Sequence, residues 1–412
     1  MSDKQQLTLR SGDIVASVSV SARAFVHRPS PVRNASADST NPIAEALSNP
    51  VGLPKLHDCL VPGDRVVIVV DPATPQLIDI VTTVLDELQS HCSEDLNITL
   101  LLPDNPKAED WQDLVKNCPV HMQGRINLVV HDPRDESKCG YLASSSNGVR
   151  VYLNKHLLDA DLIISVGVIG FDSRLGYSGT SGVLFPHFSD ISTIRDAAAP
   201  GHPELAPGDV RPLREVVDEV GWLLGTQFTI QVIPNPQGYI GSILCGMPGD
   251  VQKLGVSILE QAWRISLDRI FDVVVVTVSV PSGKVTLREV GAALESACRI
   301  VEHGGRIIIV ADLQLPEGPG ATMLRRCSDP EELLKPLRRE PTEDACEVLQ
   351  LIMAGQKATL ALFSQLTDDE TEELGFLAIN SAAELQRALN GHDDLAIISG
   401  MNHAWCDITV AT

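Results

Sequence analysis

Ala160-Asp-Leu-Ile-Ile-Ser-Val-Gly-Val-Ile-Gly-Phe-Asp-Ser-Arg-Leu-Gly-Tyr-Ser-Gly-Thr-Ser-Gly-Val-Leu-Phe-Pro-His-Phe-Ser-Asp190 joins an apolar run to a loop with five glycines between Gly167 and Gly182. In Leu162–Val166 only Ser165 is polar, the pattern of a strand buried on both faces. A buried strand emptying into a glycine loop is where α/β proteins bind ligands. In Gly176-Tyr-Ser-Gly-Thr-Ser-Gly182 only Tyr177 is bulky. The backbone N–H groups there, with Ser178, Gly179, Thr180 and Ser181, are candidates for cradling an anion. The other reading of the same residues is a tight, solvated turn.

Outward from this stretch, strand and helix patterns alternate. Arg65–Val70, Asn97–Leu102 and Ile126–Val130 read as strands, Pro75–Gln89 and Ala108–Asn117 as helices, which implies a largely parallel sheet with helices on its faces. Upstream, Gln6–Val20 alternates around Ser11-Gly-Asp13 like a hairpin, and a polar connection, His27–Pro42, leads to a short helix at Ile43–Leu47. Downstream, Ile191–Ala199 and Leu213–Leu224 read as helices, Phe228–Ile233 and Tyr239–Leu244 as a strand pair. A long helix, Gly249–Ile265, runs into a hinge at Ser266–Arg269. A second βαβ unit follows: strand Phe271–Val278, helix Thr286–Glu302 ended by Gly304-Gly305, and strand Arg306–Ala311. Thr342–Ala354 and Ser381–Leu389 (helices) and Thr359–Phe363 (strand) extend it. Leu395–Ser399 and Asp407–Val410 either finish this sheet or return to the first. The expected architecture is α/β: two α/β domains with largely parallel sheets and a cleft between them, residues 1–267 and 268–412.

Composition narrows the function. Aromatics make up only 4 % of the 412 residues, so Val, Ile and Leu must fill the cores, and a formal charge of −22 argues against nucleic acid or an anionic membrane as partner. Nine cysteines without a CxxC spacing fit reduced thiols better than zinc or disulfides. MSDKQQLTLRSGD has no basic region followed by an apolar one, and no apolar run approaches the ~20 residues that span a bilayer. A cytoplasmic protein is expected.

No nucleotide-binding, zinc-protease or serine-hydrolase motif occurs, and no metal ligands are assigned. His187 is either a base or a residue held among phenylalanines. Asp172 and Arg174, flanking Ser173, either pair with each other or offer an acid and an anion clamp. Asp71 and Thr74, at the end of a strand in Asp71-Pro-Ala-Thr-Pro75, either contact a ligand or cap the next helix. Thr286-Leu-Arg-Glu289 matches a capping box, a structural role for Glu289.

Asn49-Pro-Val-Gly52, Asp71-Pro-Ala-Thr-Pro75, Ala160-Asp-Leu-Ile-Ile-Ser-Val-Gly167, Gly176-Tyr-Ser-Gly179 followed by Pro186, and Gly241-Ser-Ile-Leu-Cys-Gly246 occur in an order that resembles the nickel-dependent lactate racemases. The resemblance covers most of the chain, and is strongest from Asn41 to Ile194. It implies two α/β domains enclosing a nickel-pincer nucleotide, which takes hydride from a 2-hydroxy acid while histidines act as bases. Position by position, this chain departs from that pattern. The family's substrate-binding arginine is Thr74 here, and its histidines fall near Pro106, on Asp172 and near Ala198. A Gln and a Lys of the second domain correspond to about Glu289 and Ala292, and the lysine that tethers the cofactor is Gly182. Glycine has no nitrogen to form that link.

Three readings follow. In the first, a divergent member binds a small anionic molecule, a hydroxy acid or a phosphorylated compound, without the covalent cofactor. In the second, an isomerase works with Asp172 or His187 as replacement base and Arg174 as clamp. In the third, a scaffold keeps a vestigial cleft.

Overall fold

The computed structural model describes residues 4–29, 41–91, 96–104, 126–146, 148–280 and 285–409. Its frame is two six-stranded sheets. The first runs Ile240–Gly246, Phe228–Pro234, Leu162–Val168, Arg65–Val70, Asn97–Leu102, Ile126–Val130, parallel throughout except for the edge pair Phe228–Pro234 and Ile240–Gly246. The apolar runs are continuous because these strands are buried on both faces. Val66, Ile68 and Val70 enter one core with helix Leu77–His91, while Val67 and Val69 enter another with Phe188. The expected helix at Ala108–Asn117 lies outside the described residues, as do most of the His27–Pro42 connection and Val410.

The second sheet is wholly parallel, in the order Leu377–Ile379, Thr359–Phe363, Val301–Val310, Phe271–Thr277, Leu395–Ile398, Phe25–His27. Val274 and Val276 face the largest core, which includes helices Leu287–Ile300 and Ala345–Lys357, and Val273 and Val275 face the opposite one. Among the described residues no helix is long and apolar enough to cross a membrane.

Three expectations need correction. Residues 1–267 do not all stay with the first sheet: strand Phe25–His27 pairs in the second, and hairpin Lys4–Ser11/Ile14–Ser21 is a separate two-stranded sheet packed against it. A two-stranded ribbon is marginal alone, and this one buries Leu7, Leu9, Val18 and Val20 against Val273, Val275 and Ile397. The hinge expected at Ser266–Arg269 is instead partly strand: helix Pro248–Trp263 ends early, and Arg264–Leu267 pairs in parallel with Trp405–Ile408. Gly304-Gly305 does not end a helix. The helix stops at Ile300, and both glycines lie within strand Val301–Val310, beside a register shift against Phe271 and Val273.

Candidate functional site

The carboxyl ends of strands Arg65–Val70 and Leu162–Val168 meet helix Leu287–Ile300 and the segment Asn402–Trp405 around a cavity of about 140 Å3. Asp71 is a cleft residue that closes a local turn and does not cap the next helix, which begins at Leu77. Its Oδ1 accepts from the Ala73 N–H at 2.9 Å and stands 3.7 Å from the Arg288 guanidinium across the cleft. Thr74 is buried, its Oγ1 has no partner among the described residues, and it lines an adjoining recess of about 400 Å3 with His187 and Arg288. Burial, then the nearby Arg288, lowers the His187 pKa to about 4, so its ring is neutral at neutral pH.

Asp172 and Arg174 form a 3.2 Å ion pair with both side chains less than a fifth exposed. Burial acts to raise the Asp172 pKa, but Arg174 and the backbone N–H groups of Arg174 (2.8 Å) and Leu175 (3.0 Å) outweigh it and bring it down to about 2. Asp172 in turn holds the Arg174 pKa well above its usual range. A carboxylate held this firmly in its ionised form is a poor proton acceptor, which removes the ground for Asp172 as base.

The glycine loop does not direct its hydroxyls at a ligand. Ser178 Oγ donates to the Val168 carbonyl and accepts from the Gly170 N–H, both at 3.0 Å, and Thr180 Oγ1 donates to Gln252 Oε1 at 3.1 Å. Ser181 sits against helix Pro212–Leu223, where a Cβ on Gly221 would come within 2.0 Å of its Oγ. Gly179 has φ 97°, and a Cβ there would meet Gln231 Oε1 at 2.7 Å. Asp71, Asp172, Arg174 and Ser178 therefore line the cavity and Thr74 and His187 the recess, whereas Gly179, Thr180 and Ser181 line neither.

The second sheet's helices contribute residues that the sequence reading did not single out. Gln350 Nε2 donates to Glu295 Oε2 at 2.8 Å and to Ser173 Oγ at 3.3 Å, while Glu295 Oε1 is buried without a partner among the described residues. Burial raises the Glu295 pKa to about 7, outweighing hydrogen bonding from Ser173 and Gln350 that acts to lower it, with Asp172 adding to the rise. Glu347 Oε2 is likewise unpartnered, and burial raises that carboxyl despite Arg174. Arg288, Glu289, Ala292, Glu295 and Ser296 recur at helical spacing along the cavity wall. The resemblance had placed positions 289 and 292 near the site, and the helical period carries that face on to Glu295. Glu289 itself closes the capping box, accepting from the Thr286 N–H at 2.8 Å and hydroxyl at 2.6 Å. On the other side, Asn402 holds the Ser279 backbone through two 2.9 Å bonds.

Residues 12–199 match the model of the lactate racemase N-terminal domain. The curated lactate racemases of Thermoanaerobacterium thermosaccharolyticum and Lactiplantibacillus plantarum are each 24 % identical to the chain, over 163 and 155 residues. These alignments cover 37 % of this chain and 36 % of either relative, so the matched segment spans about a third of the relatives' length. Among solved structures, the lactate racemase apoprotein of T. thermosaccharolyticum superposes with a TM-score of 0.79 at 15 % identity, covering 98 % of this chain and 100 % of that one. A crystal structure of a Thermotoga maritima protein gives 0.67 at 12 % identity, covering 93 % and 100 %.

Proposed function

We infer from its being a divergent, lactate-racemase-like chain that the cavity between the sheets binds a small hydroxy acid, and that it does so without a covalently tethered nickel-pincer nucleotide. One observation carries the reading: two turns apart on the wall that helix Leu287–Ile300 gives to one small cavity stand the loosely paired Arg288 and a carboxyl, Glu295, with an unpartnered oxygen. An arginine 3.7 Å from its carboxylate is free to take a second one in bidentate fashion, and an orphaned acceptor is satisfied by a ligand hydroxyl. Size agrees, since a cavity of ~150 Å3 takes a six-carbon ring and a three-carbon hydroxy acid has about as many heavy atoms.

Against the tethered nucleotide stand the residues themselves. Gly182 offers no amine, and a Cβ there would already be 3.3 Å from Leu175 Cδ1. Asp172, in a histidine's place, is occupied by Arg174, Ala198 is a buried apolar residue, and Pro106 lies outside the described residues. Side chains do not accept hydride, so binding without racemisation by hydride transfer is the expectation.

The test is thermal unfolding with each enantiomer of lactate and with propionate, which lacks the hydroxyl. Lactate should raise the midpoint more than propionate, and Arg288→Ala should abolish the rise. No shift with either enantiomer would overturn the reading. Enantiomer conversion, together with stoichiometric nickel on protein made alongside the cofactor-producing machinery, would overturn its second half.

A further inference from the structure

Ser173, Glu295, Cys346 and Gln350 line the small cavity on one side and an outer chamber of about 650 Å3 on the other, and form a neck between them in which Gln350 bonds Ser173 and Glu295. The chamber is within the usual size of a ligand pocket, whereas the inner cavity is smaller than one. Its wall is largely apolar, with Pro200, Leu349, Met353, Ala354 and Ile408. The charged groups at its rim are committed elsewhere. Arg299 donates through Nε to the Cys406 carbonyl at 3.0 Å and lies 3.8 Å over the Trp405 ring, and Lys357 donates to the Cys298 carbonyl. Asp407 accepts from Arg264 and, at 2.7 Å, from the Trp405 indole.

Three thiols complete the lining. Burial raises Cys298 to about 11 and Cys346 and Cys406 to about 12. Each is a protonated thiol at neutral pH and packs as a small apolar group. Polar demand therefore ends at the neck, where Glu295 Oε1 waits for a donor, and the space behind it favours hydrocarbon.

We propose that the outer chamber binds the apolar chain of the acid whose hydroxyl and carboxylate occupy the inner cavity, so that the ligand is a hydroxy acid with a hydrocarbon side chain longer than that of lactate. The inference rests on the hydroxy-acid reading above, through the neck residues common to both spaces.

The experiment is calorimetric titration of the full chain with lactate, 2-hydroxybutyrate, 2-hydroxyhexanoate and 2-hydroxyoctanoate, with inorganic phosphate as a competing probe. Burial of each added methylene predicts a fall in Kd of about four-fold until the chamber is filled. Met353→Glu, at a half-buried position in the wall, is expected to flatten the series, with the lactate value as internal reference. Long acids binding no tighter than lactate, or a chain-length gain that survives Met353→Glu, would overturn the chamber proposal and leave the hydroxy-acid reading standing. Phosphate displacing octanoate-length acids more readily than lactate would overturn it by marking the chamber as an anion site. If no acid of any length binds, both fall.

Discussion

At the neck between the two cavities, Glu295 keeps one carboxyl oxygen on Gln350 and the other without a partner, and its pKa rises from 4.5 to about 7. A carboxyl whose folded pKa lies above its unfolded one holds its proton more tightly when folded. The stability it contributes is fully present below about pH 4.5 and is lost as pH rises through about 7, up to about 3 kcal/mol in all. Glu295→Gln should flatten this fall and leave the protein more stable above pH 7; urea melts across that window measure it, and an unchanged slope would assign the titration to another group. Asp172 behaves oppositely, since its carboxylate is held by Arg174. Asp172→Asn should destabilise by about 3 kcal/mol, because it leaves a buried guanidinium without its counter-ion. Asp71, Asp172 and Arg174 were legible in the sequence because strand ends and glycine loops are where α/β folds place ligand-facing groups. Arg288, Glu295 and Glu347 were not, because a charge on an amphipathic helix looks the same whether its face meets water or a second sheet.

Among elements, helix Leu287–Ile300 couples fold to site, since its first turn carries Arg288 and its wall face Glu295. Thr286→Ala removes one half of the capping box and should lower stability by about 1 kcal/mol. Glu289→Gln keeps an acceptor for the Thr286 N–H and should be milder. A larger effect of Glu289→Gln on lactate affinity than on denaturant midpoint would show a ligand contact as well. The helix's N-terminal signal was explicit in Thr286-Leu-Arg-Glu289, but its end was not. Gly304-Gly305 is punctuation in either setting, and the choice of strand is made by pairing with Phe271–Thr277, a long-range contact that no local pattern contains. Likewise, the glycine loop reads as an anion cradle until Val168, Gln252 and the helix carrying Gly221 are known to take up its hydroxyls.

In the whole molecule Glu343 is one of several links across the cleft, beside Asp71–Arg288 and Ser173–Gln350; its Oε1 accepts from Arg134 at 3.0 Å and Arg195 at 3.1 Å. Both arginines are about half exposed, so each pair contributes under about 1 kcal/mol and salt should screen it. Glu343→Gln should therefore barely move the melting midpoint yet open the cleft, raising the radius of gyration in low-salt X-ray scattering to the value wild type reaches at about 1 M salt, where the screening length is ~3 Å. No difference between the two proteins would mean that the buried contacts alone hold the halves together.

The partition of strands between the sheets also sets an order of events during synthesis. Among the described residues Phe25–His27 pairs only with Leu395–Ile398, so this edge strand waits for its neighbour until residues near 395 emerge. At ~5–20 residues per second that interval is about 20–70 s. The ribbon's apolar face is bare only until Val273 and Val275 emerge, well before Leu395, so the ribbon and the edge strand that follows it are covered in two separate steps.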